Sequence, residues 1–341
     1  MSPRIQLIIA LLITIFSATA FADHKPDPIY KSDDTECSIW GYSNLSIVSR
    51  QDFTAKQIRI RSKCTHKNWT FFMENDLAGL DSRILANYIT QAWVGYTVKD
   101  AVVNDMFANT TFRVGSILTA GGQYLPAAYL GITVLPPINP FGAYGYGVQI
   151  QTDIVPGVTF TGDVTGTTGK RFNDLNARTS RFETSQRITW DAVQQKNGKT
   201  ELQLQLTNAW SDEFHKIALG AVLLPTDDLG LYGAIFRDSE HEDEKKPYTN
   251  VGGYVITDYR IWRMEGNKLD LHSHVKVEKV MGNMDYTGYT GGLSLTLPED
   301  GGYGRIGGSN VTFDVTKQSM SINNGPVVND TVTGVNVRVF F

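Results

Sequence analysis

Thr331-Val332-Thr333-Gly334-Val335-Asn336-Val337-Arg338-Val339-Phe340-Phe341 is the most informative stretch of the chain. Val335, Val337, Val339 and Phe341 fall on one side of an extended backbone, Asn336 and Arg338 on the other, and Phe340 breaks the polar row. Residues two apart share a face of a strand, so the pattern predicts a β-strand with one apolar and one polar surface. It stops on an aromatic in mid-pattern, an ending a soluble domain rarely uses.

The same alternation recurs upstream. Leu269, Leu271, Val275 and Val277 oppose Asp270, His272, His274, Lys276 and Glu278. Leu202, Leu204 and Leu206 oppose Glu201, Gln203 and Gln205, and Ile58 and Ile60 oppose Arg59, Arg61 and Lys63. Period-2 segments bounded by turn residues are expected near 37–49, 55–64, 67–77, 84–98, 108–117, 145–155, 157–166, 181–193, 199–210, 214–224, 228–238, 250–263, 267–279, 286–297, 303–316 and 331–341. Periodicity alone does not separate a soluble sandwich, apolar inside, from a barrel, polar inside. Length does: many segments reach the roughly ten residues a tilted membrane strand needs, against about five or six for ordinary strands.

Composition narrows the class. A mean hydropathy of −0.20 with 19% charged residues excludes a helical membrane protein. It is compatible with a transmembrane barrel, whose lipid-facing and lumen-facing residues average out. A net charge of −4 does not suggest a nucleic-acid partner. The one apolar run, Leu7 to Phe16, follows Arg4 and precedes Ala20-Phe21-Ala22, the layout of a secretory signal peptide. The expected organisation is a signal peptide at 1–22, a periplasmic tail at 23–36 and a barrel domain at 37–341.

With that leader, the final strand resembles the closing strand of outer-membrane barrels, in which a terminal Phe (here Phe341) marks substrates of the barrel-assembly machinery. The fold expected is all-β: a closed antiparallel transmembrane β-barrel of about 16 strands, the even number single-chain bacterial barrels require. Tight connections at His66, Pro156, 196–198, 225–227, 265–267 and 298–301 fall at one end, the periplasmic one. Long connections at 118–144, 167–180, 239–249 and 317–330 fall at the other, and 99–107 is long for a periplasmic turn. Trp40, Tyr42, Trp69, Tyr88, Trp93, Trp190, Trp210, Tyr254, Trp262 and Tyr289 lie where interfacial aromatic girdles occur. Cys37 and Cys64 are equidistant from a hairpin turn around Arg50-Gln51, so a Cys37–Cys64 disulfide is expected in an exported chain.

Residues 118–144 are free of charge and carry Tyr124, Tyr129, Pro136 and Phe141. Such a loop suits a barrel interior better than bulk water, the alternative being a surface loop. Here the chain resembles the porin superfamily, in which the third extracellular loop folds into the lumen. The resemblance is closest to the porin O/P-like branch, through Phe112-Arg113-Val114-Gly115 before the loop and Gly147-Val148-Gln149-Ile150 after it. It implies passive diffusion of small hydrophilic solutes or ions, without catalysis or a cofactor. Its implied partners are outer-membrane lipid and lipopolysaccharide, the assembly machinery and two further copies in a homotrimer.

Selectivity would come from wall charges: Arg59, Arg61, Lys63, Arg113, Arg181, Arg187, Lys276 and Arg338. They share the polar row with Glu74, Asp76, Asp153, Asp163, Glu183, Asp191, Asp270, Glu278 and Asp314. His272 and His274 are too few for a zinc site, and no Ser partner for either is apparent. The acidic run from Glu240 suits a solvated outer loop or cation-bridged lipopolysaccharide. No hydrolase or nucleotide-binding motif occurs. The alternatives are an outer-membrane enzyme of lipase type and a secreted β-sandwich binding protein.

Overall fold

The computed structural model describes residues 28–48, 54–77, 89–99, 106–121, 144–166, 182–194, 200–211, 214–240, 248–264, 269–297, 309–323 and 325–340. The expected signal peptide and Phe341 lie outside them. Among the described residues the chain is all-β, seventeen antiparallel strands in one sheet. They are β1 (Tyr30–Lys31), β2 (Thr35–Val48), β3 (Thr54–His66), β4 (Trp69–Asp76), β5 (Ile89–Val98), β6 (Ala108–Leu118), β7 (Tyr144–Val155), β8 (Val158–Gly166) and β9 (Phe182–Gln194). There follow β10 (Thr200–Trp210), β11 (Phe214–Leu223), β12 (Leu229–Glu240), β13 (Tyr248–Met264), β14 (Leu269–Gly282), β15 (Met284–Leu297), β16 (Ser309–Ile322) and β17 (Val328–Phe340).

Each strand from β2 to β17 overlaps one expected from the sequence. The seventeenth, β1, pairs Tyr30 with Cys37 and Lys31 with Glu36, inside the stretch expected to be a tail. Consecutive strands from β2 onward pair in chain order, and β17 pairs back with β2, from Gly334 opposite Val48 to Phe340 opposite Tyr42. Two connections are two-residue turns, at 67–68 and 156–157. Gly157 sits at φ +80°, a left-handed conformation that glycine adopts without strain.

Burial divides the two faces of the sheet, and it does so inside out. Val114, Val148 and Ile235 are 60%, 52% and 63% exposed, with Phe112, Leu219, Val255, Val275 and Phe313 on the same face. Glu74, Lys276 and Asp314 have no exposed surface, and Gln149, Asp163, Asp258, Asp270 and His272 are buried with them. In water this arrangement leaves apolar area unburied and desolvates charge, each of which costs free energy. It is favourable only where apolar surroundings meet the first face.

Two expected connections differ. The long loop at 317–330 shrinks to 323–327, because β16 and β17 stay paired from Lys317 opposite Thr331 to Met320 opposite Val328. Lys317, Ser319 and Ser321 occupy apolar-face positions there, so alternation vanishes while the hydrogen-bond ladder continues. The tight turn expected at 298–301 precedes a strand that begins only at Ser309; residues 298–308 lie outside the described set.

Candidate functional site on the polar face

Register sets side chains beside one another on the polar face. Arg61 of β3 lies opposite Glu74 of β4, and Arg59 opposite Asp76. Arg61 Nε lies 2.5 Å from Glu74 Oε2, Arg59 Nη1 3.1 Å from Oε1, and Arg59 Nε 3.3 Å from Asp76 Oδ2. Thr90 Oγ1 also donates to Glu74 Oε1 at 2.7 Å, so this buried carboxylate is saturated with donors. Both guanidinium groups lie over the Tyr42 ring, at 6.0 and 5.3 Å. These two arginines, expected to bias the ions, stand beside compensating acids.

Arg113 differs. It donates to Gln149 Oε1 at 2.5 Å and Gln151 Oε1 at 2.8 Å, and its guanidinium lies 4.9 Å from the Trp93 ring centre. Among the described residues neither Arg113 nor Lys63 is ion-paired with a carboxylate. Gln149 also donates to Leu118 O at 2.9 Å and Asp163 Oδ2 at 3.4 Å. Asp163 further accepts the N–H of Ala120 at 2.6 Å and the hydroxyl of Ser185 at 2.7 Å, and Ser185 Oγ accepts the N–H of Gly121 at 3.2 Å. The chain leaving β6 therefore crosses the polar face towards β8 and β9. Tyr124, Tyr129, Pro136 and Phe141 lie outside the described residues.

On the opposite part of the sheet, Lys276 Nζ is 3.0 Å from Glu278 Oε2. Asp270 meets Arg263 at 2.9 Å and Arg260 at 3.4 Å, and Arg260 also pairs with Asp228. Arg260 has the parity of Asp258 and was not singled out, whereas Arg263 was hidden by a bulge between Arg260 and Trp262 that shifts the register. Past it the alternation is displaced by one, so Arg260 and Arg263 reach the same carboxylate while Ile261 and Trp262 are both exposed. Lys216 and Asp238, 3.6 Å apart, form another pair that was not singled out. Arg187 and Arg338 occupy polar-face positions opposite Thr207 and Asn310, whereas Arg181 lies outside the described residues.

The aromatic expectation is corrected in part. Trp69, Trp190, Trp210, Trp262 and Tyr289 are exposed on the apolar face. Trp40, Tyr42, Trp93 and Tyr254 share the polar face instead, because each has the parity of a buried polar neighbour; Tyr88 lies outside the described set. A Ser partner for the histidines does exist, since Ser294 of β15 stands opposite His272 of β14. His272 Nδ1 is 3.3 Å from Asp258 Oδ2. The Ser294 hydroxyl, however, bonds Thr312 at 3.0 Å and Thr296 at 3.3 Å and is thereby engaged away from the imidazole. No group of three or more metal-ligating side chains occurs among the described residues. Cys37 and Cys64 face each other across β2 and β3 and form the disulfide.

No protein-family model matches the sequence, and no curated protein matches it significantly. Solved structures do match. OmpT lacking loop L8, an outer membrane protein of Vibrio cholerae, aligns with a TM-score of 0.63 at 10% identity, over 91% of this chain and 100% of that one. The anion-selective porin from Comamonas acidovorans aligns with a TM-score of 0.58 at 11% identity, over 90% and 100%. The outer membrane channel DcaP of Acinetobacter baumannii aligns at 0.56 and 11%, over 92% and 99%. The chain thus has the fold of outer-membrane porins and channels.

Proposed function

We propose that this chain is an outer-membrane porin through which small hydrophilic solutes or ions diffuse passively. The observation that carries the reading is the inverted burial, charge enclosed and aliphatic side chains exposed. Strands β2 to β17, with β17 returned to β2, make the closed sixteen-strand barrel of this proposal, and β1 is an addition at its start. Barrels of about this size enclose water. The apolar face then meets lipid and the polar face lines the lumen.

In this reading the segment after Leu118 bends inward and narrows the bore, which the bonds of Ala120 and Gly121 to β8 and β9 support. Fixed wall charges bias the passing ions. The finer points of the proposal are a leader cleaved before Asp23, recognition of Phe341 by the assembly machinery, contact with lipopolysaccharide and, as the porin O/P-like resemblance implies, a homotrimer. N-terminal sequencing of the mature protein and sedimentation in detergent check the first and last of these.

The test is purification from the outer-membrane fraction followed by planar-bilayer recording in KCl. Stepwise ohmic conductance is expected. Extraction without detergent, or folded protein that gives no conducting steps, overturns the proposal. Replacing His272 and His274 by Ala should leave conductance in place, whereas loss of a hydrolytic activity on lipid would establish the enzymatic alternative.

A further inference from the structure

Three rings on the polar face of β2, β4 and β5 touch in series. Trp40 and Phe72 have centres 6.2 Å apart with planes tilted by 58°, and Phe72 and Trp93 are stacked at 5.2 Å and 22°. Arg113 extends the series over Trp93. The contact depends on Gly95, directly opposite Arg113, where a Cβ would come within 3.1 Å of the Trp93 ring and 3.4 Å of Arg113 Cγ. On the level of Trp93, the next two positions across the sheet are Gly115 and Gly147, so β6 and β7 place no side chain there.

Two cations flank this strip. Lys63 lies opposite Phe72, and Arg113 borders Trp93. Among the described residues neither is paired with a carboxylate, unlike Arg59, Arg61 and Lys276. The strip is also accessible: Trp40, Phe72, Trp93 and Arg113 are partly exposed and Lys63 is exposed, while Lys276, Asp314 and His272 across the sheet have almost no solvent contact. Aromatic edges and faces favour a planar ring, and uncompensated cations favour an anion.

We infer that the Trp40–Phe72–Trp93 strip, with Lys63 and Arg113, is a binding subsite for small aromatic carboxylates. The inference rests on the pore reading for how the solute arrives. The ring lies against the aromatic strip and the carboxylate turns to Lys63 or to the guanidinium of Arg113. Binding is weak and reversible, as a site that must also release its solute requires.

Benzoate is the probe, with acetate and phosphate as anions lacking a ring. Two measurements are made: block of KCl current in a planar bilayer, and equilibrium dialysis of labelled benzoate with detergent-solubilised protein. Benzoate is expected to block saturably and to be retained on dialysis, with acetate and phosphate far weaker in both. Trp93→Leu, which keeps an apolar side chain and removes the ring, should weaken benzoate by about threefold to tenfold. Lys63→Gln with Arg113→Gln should weaken it further, and heat-modifiable gel mobility establishes that each variant folds. Normal KCl conductance with benzoate no better than acetate, or Trp93→Leu binding benzoate like the parent, overturns the subsite. Retention of benzoate by protein that does not conduct supports the subsite and refutes the pore.

Discussion

The backbone N–H of Ala120 donates to Oδ2 of Asp163 across 2.6 Å, joining the chain that leaves β6 to the polar face of β8. A carboxylate that accepts this N–H together with the Ser185 hydroxyl fixes the direction in which the long connection sets out. Asp163→Ala should release it and raise single-channel conductance. Solute-size exclusion in liposome swelling should relax with it. Unchanged conductance in a folded variant would show that the connection does not set the bore.

Glu74 compensates two guanidinium groups at once. Glu74→Gln keeps the shape and removes the charge, leaving Arg59 with Asp76 and Arg61 without a carboxylate partner among the described residues. Selectivity should move towards anions, read as a shift of reversal potential in asymmetric KCl. The shift should shrink at high salt as the fixed charge is screened.

The Cys37–Cys64 disulfide closes a sequence separation of 27 residues at the first hairpin. In the chain-entropy account such a loop stabilises by roughly 3–4 kcal/mol. Cys37→Ser with Cys64→Ser should therefore lower the urea midpoint of folding into lipid vesicles. The pairing of β2 with β17 does not use the bond, so conductance of the folded variant should persist.

Val114 and Val148 face outward near the middle of their strands. Replacing either by Lys should cost about 2–4 kcal/mol of stability in a bilayer if that face meets the membrane core. Replacing the polar-face Gln151 by Lys should cost far less and alter ion selectivity instead. Equal costs at both positions would argue against lipid on the apolar face.

Sixteen strands were legible because period-2 alternation is local: Leu269 and Asp270 point opposite ways whatever else the chain does. The far end of β16 was illegible for the same reason. At Lys317, Ser319 and Ser321 the outward side chains are polar, and the strand is maintained by a partner, Thr331 to Val328, that the sequence does not identify. The bulge before Trp262 defeated parity directly, hiding Arg263 as a partner of Asp270. The wall charges could be named from alternation, but which of them are compensated could not.

By itself the sequence determined which side chains share a face wherever a strand runs without a bulge, where sixteen of the seventeen strands lie, and that Cys37 and Cys64 would meet across a hairpin. Each follows from backbone geometry within a few residues or across one turn. Tertiary structure decided which acid neutralises which arginine, that Trp40, Phe72 and Trp93 lie in series, that Ser294 stands opposite His272, and that Ala120 reaches Asp163. Those contacts join residues on separate strands, and their distances depend on the register of every ladder between them.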